Sequence, residues 1–184
     1  MTQNKYQNII TNEEVNQNKL DRADAIISEL YHKMPKYIAN GHGPFLAAIY
    51  DNDGNLIAES ANSVLSDKCS NNHAETNVIR AAEEKLGTHD LSKYNLSLYI
   101  TAEPCMMCIG AIMWSGIRAV YYGVPSITVE KITGFDEGFK PNWLHEFATR
   151  NITVYGNIAP ESGERVLRDY VTNNGTIYKP KRTY

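Results

Sequence analysis

Apolar positions along this chain fall into two spacings, and the switches between them mark out its elements. From Leu20 they recur at Ala23, Ile27, Leu30 and Met34, a stripe that predicts a helix ended or bent at Pro35. Gly41 and Gly43-Pro44 then break the chain. Residues 45–50 read as a strand, Asp51-Asn52-Asp53-Gly54 as a hairpin turn, and residues 55–61 as the returning strand. A helix opens at Asn72 and stops near Gly87. Residues 96–101 form another strand pattern, and Pro104 suits the first position of a helix that runs to Trp114 and ends at Gly116. Residues 119–124 predict a strand, followed by helices at 126–132 and 143–149 on either side of the loop Gly134-Phe135-Asp136-Glu137-Gly138. A last strand at 152–155, a last helix at 161–170 and a basic tail complete the chain.

Strands and helices therefore alternate, which predicts an α/β fold with one sheet of about five strands covered by helices on both faces. Residues 1–18 are a polar lead-in rich in Asn and Gln, and residues 19–184 form a single domain, with no internal repeat or linker. The lead-in lacks the apolar core of a signal peptide. No run approaches the ~18 apolar residues that would suggest a bilayer span, so a soluble cytoplasmic protein with no membrane partner is expected.

Charge and cysteine usage narrow the chemistry. With 18 basic and 21 acidic residues the formal charge is −3. That gives no support to a polyanion-binding face, so nucleic acid is not the expected partner. Of three cysteines, two are spent in Pro104-Cys105-Met106-Met107-Cys108, leaving only Cys69. This is metal or redox usage rather than a disulfide framework.

Cys105 and Cys108 are three apart, so on a helix both thiols face one way. The positive end of the helix would favour the metal-binding thiolate. Taken alone the pair could equally be a redox dithiol. With His73-Ala74-Glu75 upstream, a zinc site with His73, Cys105 and Cys108 as ligands, one ion per chain, becomes the stronger reading. Three protein ligands leave a fourth position for water, the mark of a catalytic rather than a structural site.

Glu75 is then free to act as acid and base. Residues two apart point to opposite sides of a helix, so His73 and Glu75 converge only if His73 lies where the backbone is not yet helical. The competing role for Glu75 is a variant capping box with Asn72. Cys69 could in principle close the site as a fourth ligand, but it reads better as a loop thiol.

The pairing of H-x-E with P-C-x-x-C is the signature of zinc-dependent base deaminases, and residues 43–178 resemble the cytidine deaminase-like fold. Gly43-Pro44-Phe45, Asn62 and Gly134-Phe135-Asp136-Glu137 look like the guanine deaminase branch of that superfamily. The resemblance implies a three-layer α/β/α sandwich, a homodimer, and hydrolysis of a purine base, guanine to xanthine and ammonia. It also implies that Glu137 shares a proton transfer or holds the exocyclic amine. Leu46 stands where many members carry Gly, a departure that would narrow the pocket or shift the base. The C-terminal segment is expected near an active site, its own or a partner's.

Asn62 suits a purine edge because its amide both donates and accepts, although Asn is also an ordinary turn residue. Phe45 and Trp114 are candidate walls for a flat base, and both could instead be core. The competing functions are a tRNA adenosine deaminase, a guanosine or triazine deaminase, and a non-catalytic zinc or RNA-binding module. Intact Glu75 beside three evident ligands argues against the last.

Overall fold

A computed structural model of the chain describes residues 16–139 and 141–179. Five strands form one mixed sheet in the order β2-β1-β3-β4-β5. They are β1 (Leu46–Tyr50), β2 (Leu56–Ala61), β3 (Ser97–Ala102), β4 (Ala119–Val124) and β5 (Thr153–Tyr155). β1 runs antiparallel to both β2 and β3, whereas β3, β4 and β5 are mutually parallel.

Alternate residues of each strand feed two cores. Ala47, Ile49, Leu98, Ile100, Val120, Tyr122 and Val154 pack with α3 (Ala74–Leu86), α4 (Met106–Ser115) and α6 (Trp143–Thr149). Leu46, Ala48, Tyr99, Tyr121 and Tyr155 pack with α1 (Gln17–Ala39), α5 (Ser126–Thr133) and α7 (Pro160–Thr172) on the other face. The expected three-layer sandwich is therefore the observed one.

The element boundaries correct the sequence reading in several places. Helix α1 starts at Gln17, capped by Asn16, whose side chain accepts from the Lys19 amide at 3.3 Å. The predicted lead-in thus overlaps the helix, and its residues 1–15 lie outside those described. Pro35 does not end α1, which continues to Ala39. Pro35 is exposed, so its ring projects to solvent and clears the packed face, although the helix forgoes one i→i−4 bond there. Pro104 is not the first helical residue either, because Cys105 is the cap and α4 begins at Met106.

This topology gathers one set of strand ends. The end of β2, the start of β1 and the end of β3 lie side by side because β1 is antiparallel to both neighbours. Parallel α/β sheets tend to bind ligands outside the carboxyl ends of their strands. Phe45, Asn62 and the run Glu103-Pro104-Cys105 all leave the sheet at this edge. A short helix, α2 (Val64–Asp67), leads from there into the loop before α3.

Candidate active site

Helices α3 and α4 begin at this edge, and each offers a metal ligand from its cap. His73 caps α3 with φ −71° and ψ 161°, and Cys105 caps α4 with φ −71° and ψ 171°. Both are extended, and neither side chain makes a capping hydrogen bond. The extended backbone at His73 is what lets it and Glu75, two residues apart, serve one site. Asn72 is not the cap, and the capping box does not form. The Asn72 amide donates to Asp67 at 2.8 Å instead, while Glu75 is buried and lines the pocket.

The ligand geometry fits a tetrahedral ion. Cys105 Sγ lies 3.5 Å from His73 Nδ1, Cys108 Sγ lies 3.6 Å from it, and the two sulfurs are 3.7 Å apart. Tetrahedral zinc, with Zn–S about 2.3 Å and Zn–N about 2.05 Å, requires roughly 3.6 Å between nitrogen and sulfur and roughly 3.8 Å between sulfurs. Cys69, half-buried in the loop after α2, is not in this cluster.

Electrostatics suit the same arrangement. The Cys105 thiol is pulled down to about 4, first by the hydrogen bond with Cys108 and then by His73 acting against burial. Cys108 is pushed up by the same bond and by burial. The environment of Cys105 thus favours the thiolate that a metal binds, and a bound cation favours ionising the second thiol. Burial pulls the His73 imidazole down, but contact with Cys105 and the charges of Glu75, Cys105 and Glu137 leave it raised. Glu75 is pushed up to about 7, first by burial and next by the Cys105 thiolate.

These groups open into a cavity of about 600 Å³. Phe45, Asn62 and Glu137 line it, as the sequence suggested. Leu46 does not narrow it, because the strand alternation turns that side chain to the α1 face. Trp114 is neither wall nor core. It is 84% exposed, because it follows the buried Ile112 by two residues, about 200° around the helix.

Three residues of the site escaped the sequence reading. Tyr178 returns from beyond α7 to cover this chain's own pocket. Its hydroxyl accepts from the Asn62 amide at 2.7 Å, and its ring lies 5.1 Å from Phe135 and 6.5 Å from His73. Phe135, named only within a motif, bridges Phe45 at 5.5 Å and Tyr178. Glu103 accepts from the Trp143 indole at 3.1 Å and from the Ser126 amide at 2.9 Å, tying the approach to Cys105 to α5 and α6. Gly43 permits the close fit at Asn62, since a Cβ there would meet Asn62 Oδ1 at 2.8 Å. Of the expected tail, Lys179 lines the pocket and residues 180–184 lie outside those described.

Comparison with known proteins agrees with this geometry. Residues 22–124 match the model of the cytidine and deoxycytidylate deaminase zinc-binding region. Guanine deaminase of Bacillus subtilis is 40% identical over 97 residues, which span 53% of this chain and 60% of that protein. A tRNA-specific adenosine deaminase of Agrobacterium fabrum is 32% identical over 125 residues, 68% of this chain and 78% of that one. The solved structure of guanine deaminase from Nitrosomonas europaea superposes with a TM-score of 0.78 at 34% identity, covering 91% of this chain and 90% of its own.

Proposed function

The chain belongs to the cytidine and deoxycytidylate deaminase zinc-binding family, and from that premise we propose that it hydrolyses guanine to xanthine and ammonia. The observation that carries this reading is the buried Glu75 carboxylate beside three ligand atoms at tetrahedral spacing, under a small aromatic box. His73, Cys105 and Cys108 would hold the zinc. When bound, zinc supplies the acidity that makes water a competent nucleophile near neutral pH.

The protein's own groups do the rest. Phe45 and Phe135 flank the flat base, and the Asn62 amide addresses its polar edge once Tyr178 gives up that bond. Glu75 takes a proton from the attacking water and passes it to the ring nitrogen beside C2. The C–O bond forms at C2, the proton of the new hydroxyl is passed to the exocyclic nitrogen, and the C–N bond breaks to release ammonia as the C2 carbonyl forms. Glu137, which also lines the pocket, shares that second transfer or holds the amine. General acid–base transfer of this kind contributes on the order of 10²–10⁴ in rate.

A free base is favoured over a polynucleotide because Tyr178 and Phe135 close over the pocket. The same reading places a second copy of the chain on α4. That helix carries no charged residue, and it turns Trp114 and Met106 to solvent, as an isologous dimer face would. No described helix is long and apolar enough to cross a membrane. Three free cysteines suit a reducing compartment such as the cytoplasm.

Ammonia release from guanine, measured for the zinc-loaded protein and its Glu75→Ala variant, tests the reading. Release by the native form alone supports it. If guanine yields none while tRNA adenosine is deaminated, the base assignment falls and the nucleic-acid reading replaces it.

A further inference from the structure

Helix α3 carries a side chain that the proposed chemistry does not use, at a position where a helix gains nothing from it. Asn77 is only 8% exposed and lies four residues after His73, its own backbone amide donating to the His73 carbonyl at 3.0 Å. Asn is a poor helix-interior residue, and its side-chain amide is costly to bury unless every polar atom is satisfied. In Asn77 both ends are engaged. Nδ2 donates to the Ala61 carbonyl and to Ser63 Oγ, each at 2.9 Å, with a longer contact of 3.4 Å to the Asn72 carbonyl. Oδ1 accepts from the Arg80 guanidinium at 2.9 Å.

The acceptors matter more than their number. Ala61 and Ser63 are the two residues that flank Asn62, and Asn72 is the residue before His73. One amide therefore ties the segment that presents Asn62 to the helix that presents His73 and Glu75. The backbone of Asn62 is fixed from the other side by Phe45 and Gly43, at 3.0 and 3.1 Å. Toward α3 the segment is held by the Ser63 amide, which donates to the Asn72 carbonyl at 2.9 Å, and by the Asn77 side chain, the only one of the two that reaches both residues flanking Asn62.

We propose that Asn77 is a positioning residue that sets the distance between the base-recognising amide of Asn62 and the zinc-side groups at the start of α3. This rests on the proposed deamination of a purine base and goes beyond it, since Asn77 touches neither base nor metal. A misplacement of about 1 Å between bound substrate and reacting groups can cost on the order of 10² in rate.

The test is a double-mutant cycle on the zinc-loaded protein with guanine. Asn77→Leu removes the tether at similar volume. Asn77→Asp keeps the Arg80 partner but loses the donor, and serves if the Leu variant does not fold. Either variant should keep one zinc per chain and the native pH profile, lose about 10²-fold in kcat, and shift KM far less. In an Asn62→Ala background the same change should cost only a few-fold, because the group being positioned is gone. Equal losses in both backgrounds, or no loss in either, would overturn the proposal.

Should the native protein release no ammonia from guanine, the functional reading fails on its own. A crystal structure of the variant then decides the tether. Residues 61–63 displaced from His73 would support it, and an unmoved segment would overturn it.

Discussion

On one face of the sheet, Tyr99, Tyr121 and Tyr155 sit in direct register across β3, β4 and β5. Their rings stack at 4.8 and 5.0 Å, within 9° of parallel, beneath α1 and α7. On the other face the same β3 sends Ile100 to the lining of the cavity. The tyrosine face is filled by an alternating apolar pattern, pinned at its edge where the Tyr31 hydroxyl of α1 donates to the Thr101 carbonyl. The cavity face gives up that regularity: its buried groups include Glu75, Asn62, Asn72 and Asn77, each needing a specific partner. Two of its helices, α3 and α4, begin on metal-ligand side chains that make no capping bond, whereas α1 on the opposite face keeps an Asn cap. Both faces thus bury an apolar core, and chemistry is confined to the edge of one.

The largest expected effect is on the cavity side. Glu75→Gln should lower kcat for guanine by on the order of 10²–10⁴, with zinc content unchanged and thermal stability no lower. A destabilised variant would show that the carboxylate holds the fold, and would break the contrast.

The matching change on the other face is Tyr121→Ala. Loss of a buried aromatic and two stacked partners should cost about 3–5 kcal/mol by denaturant titration. The folded fraction should keep its kcat, and a parallel fall in kcat would mean that the two faces are coupled.

A pH effect of intermediate size should appear in the metal-free protein. Burial raises the Glu75 carboxyl from its ordinary 4.5 to about 7. A group raised on folding contributes its full stability below the unfolded pKa and loses it as pH rises through the folded one. Glu75→Gln has no such proton to lose. Its melting temperature relative to the native protein should therefore climb between about pH 4.5 and about 7. The same difference at both ends of that window, measured with chelator present, would contradict burial of the carboxyl as the source of the shift.

The smallest effect on folding is expected at Trp114. Trp114→Ser should change monomer stability by no more than about 0.5 kcal/mol. If α4 is the seat of a second copy, sedimentation should nevertheless show the variant shifted toward monomer. An unshifted dimer would move the interface elsewhere.

Much of this is legible in the sequence because the determinants are local. Strand and helix order follows from apolar spacing, and zinc ligation needs particular side chains at short, fixed separations, as in Cys105-x-x-Cys108. Trp114 reads as wall or core only while its helix is treated as a run of apolar residues; counting its phase from Ile112 turns it to solvent. Asn72 resembles a cap because its amide could serve either the helix or Asp67, and only the loop's path decides between them.

What the chain determined by itself was therefore the alternation of elements, the three zinc ligands and the free carboxylate beside them. Tertiary structure decided which distant residues complete the site. Tyr178 meets Asn62 across 116 positions, Glu103 binds Trp143 across 40, and Asn77 reaches back 16 to Ala61. No periodicity or local spacing encodes such pairs. They form because the antiparallel β1 brings the ends of β2 and β3 to one edge, where buried polar groups must find partners or bear the full cost of desolvation.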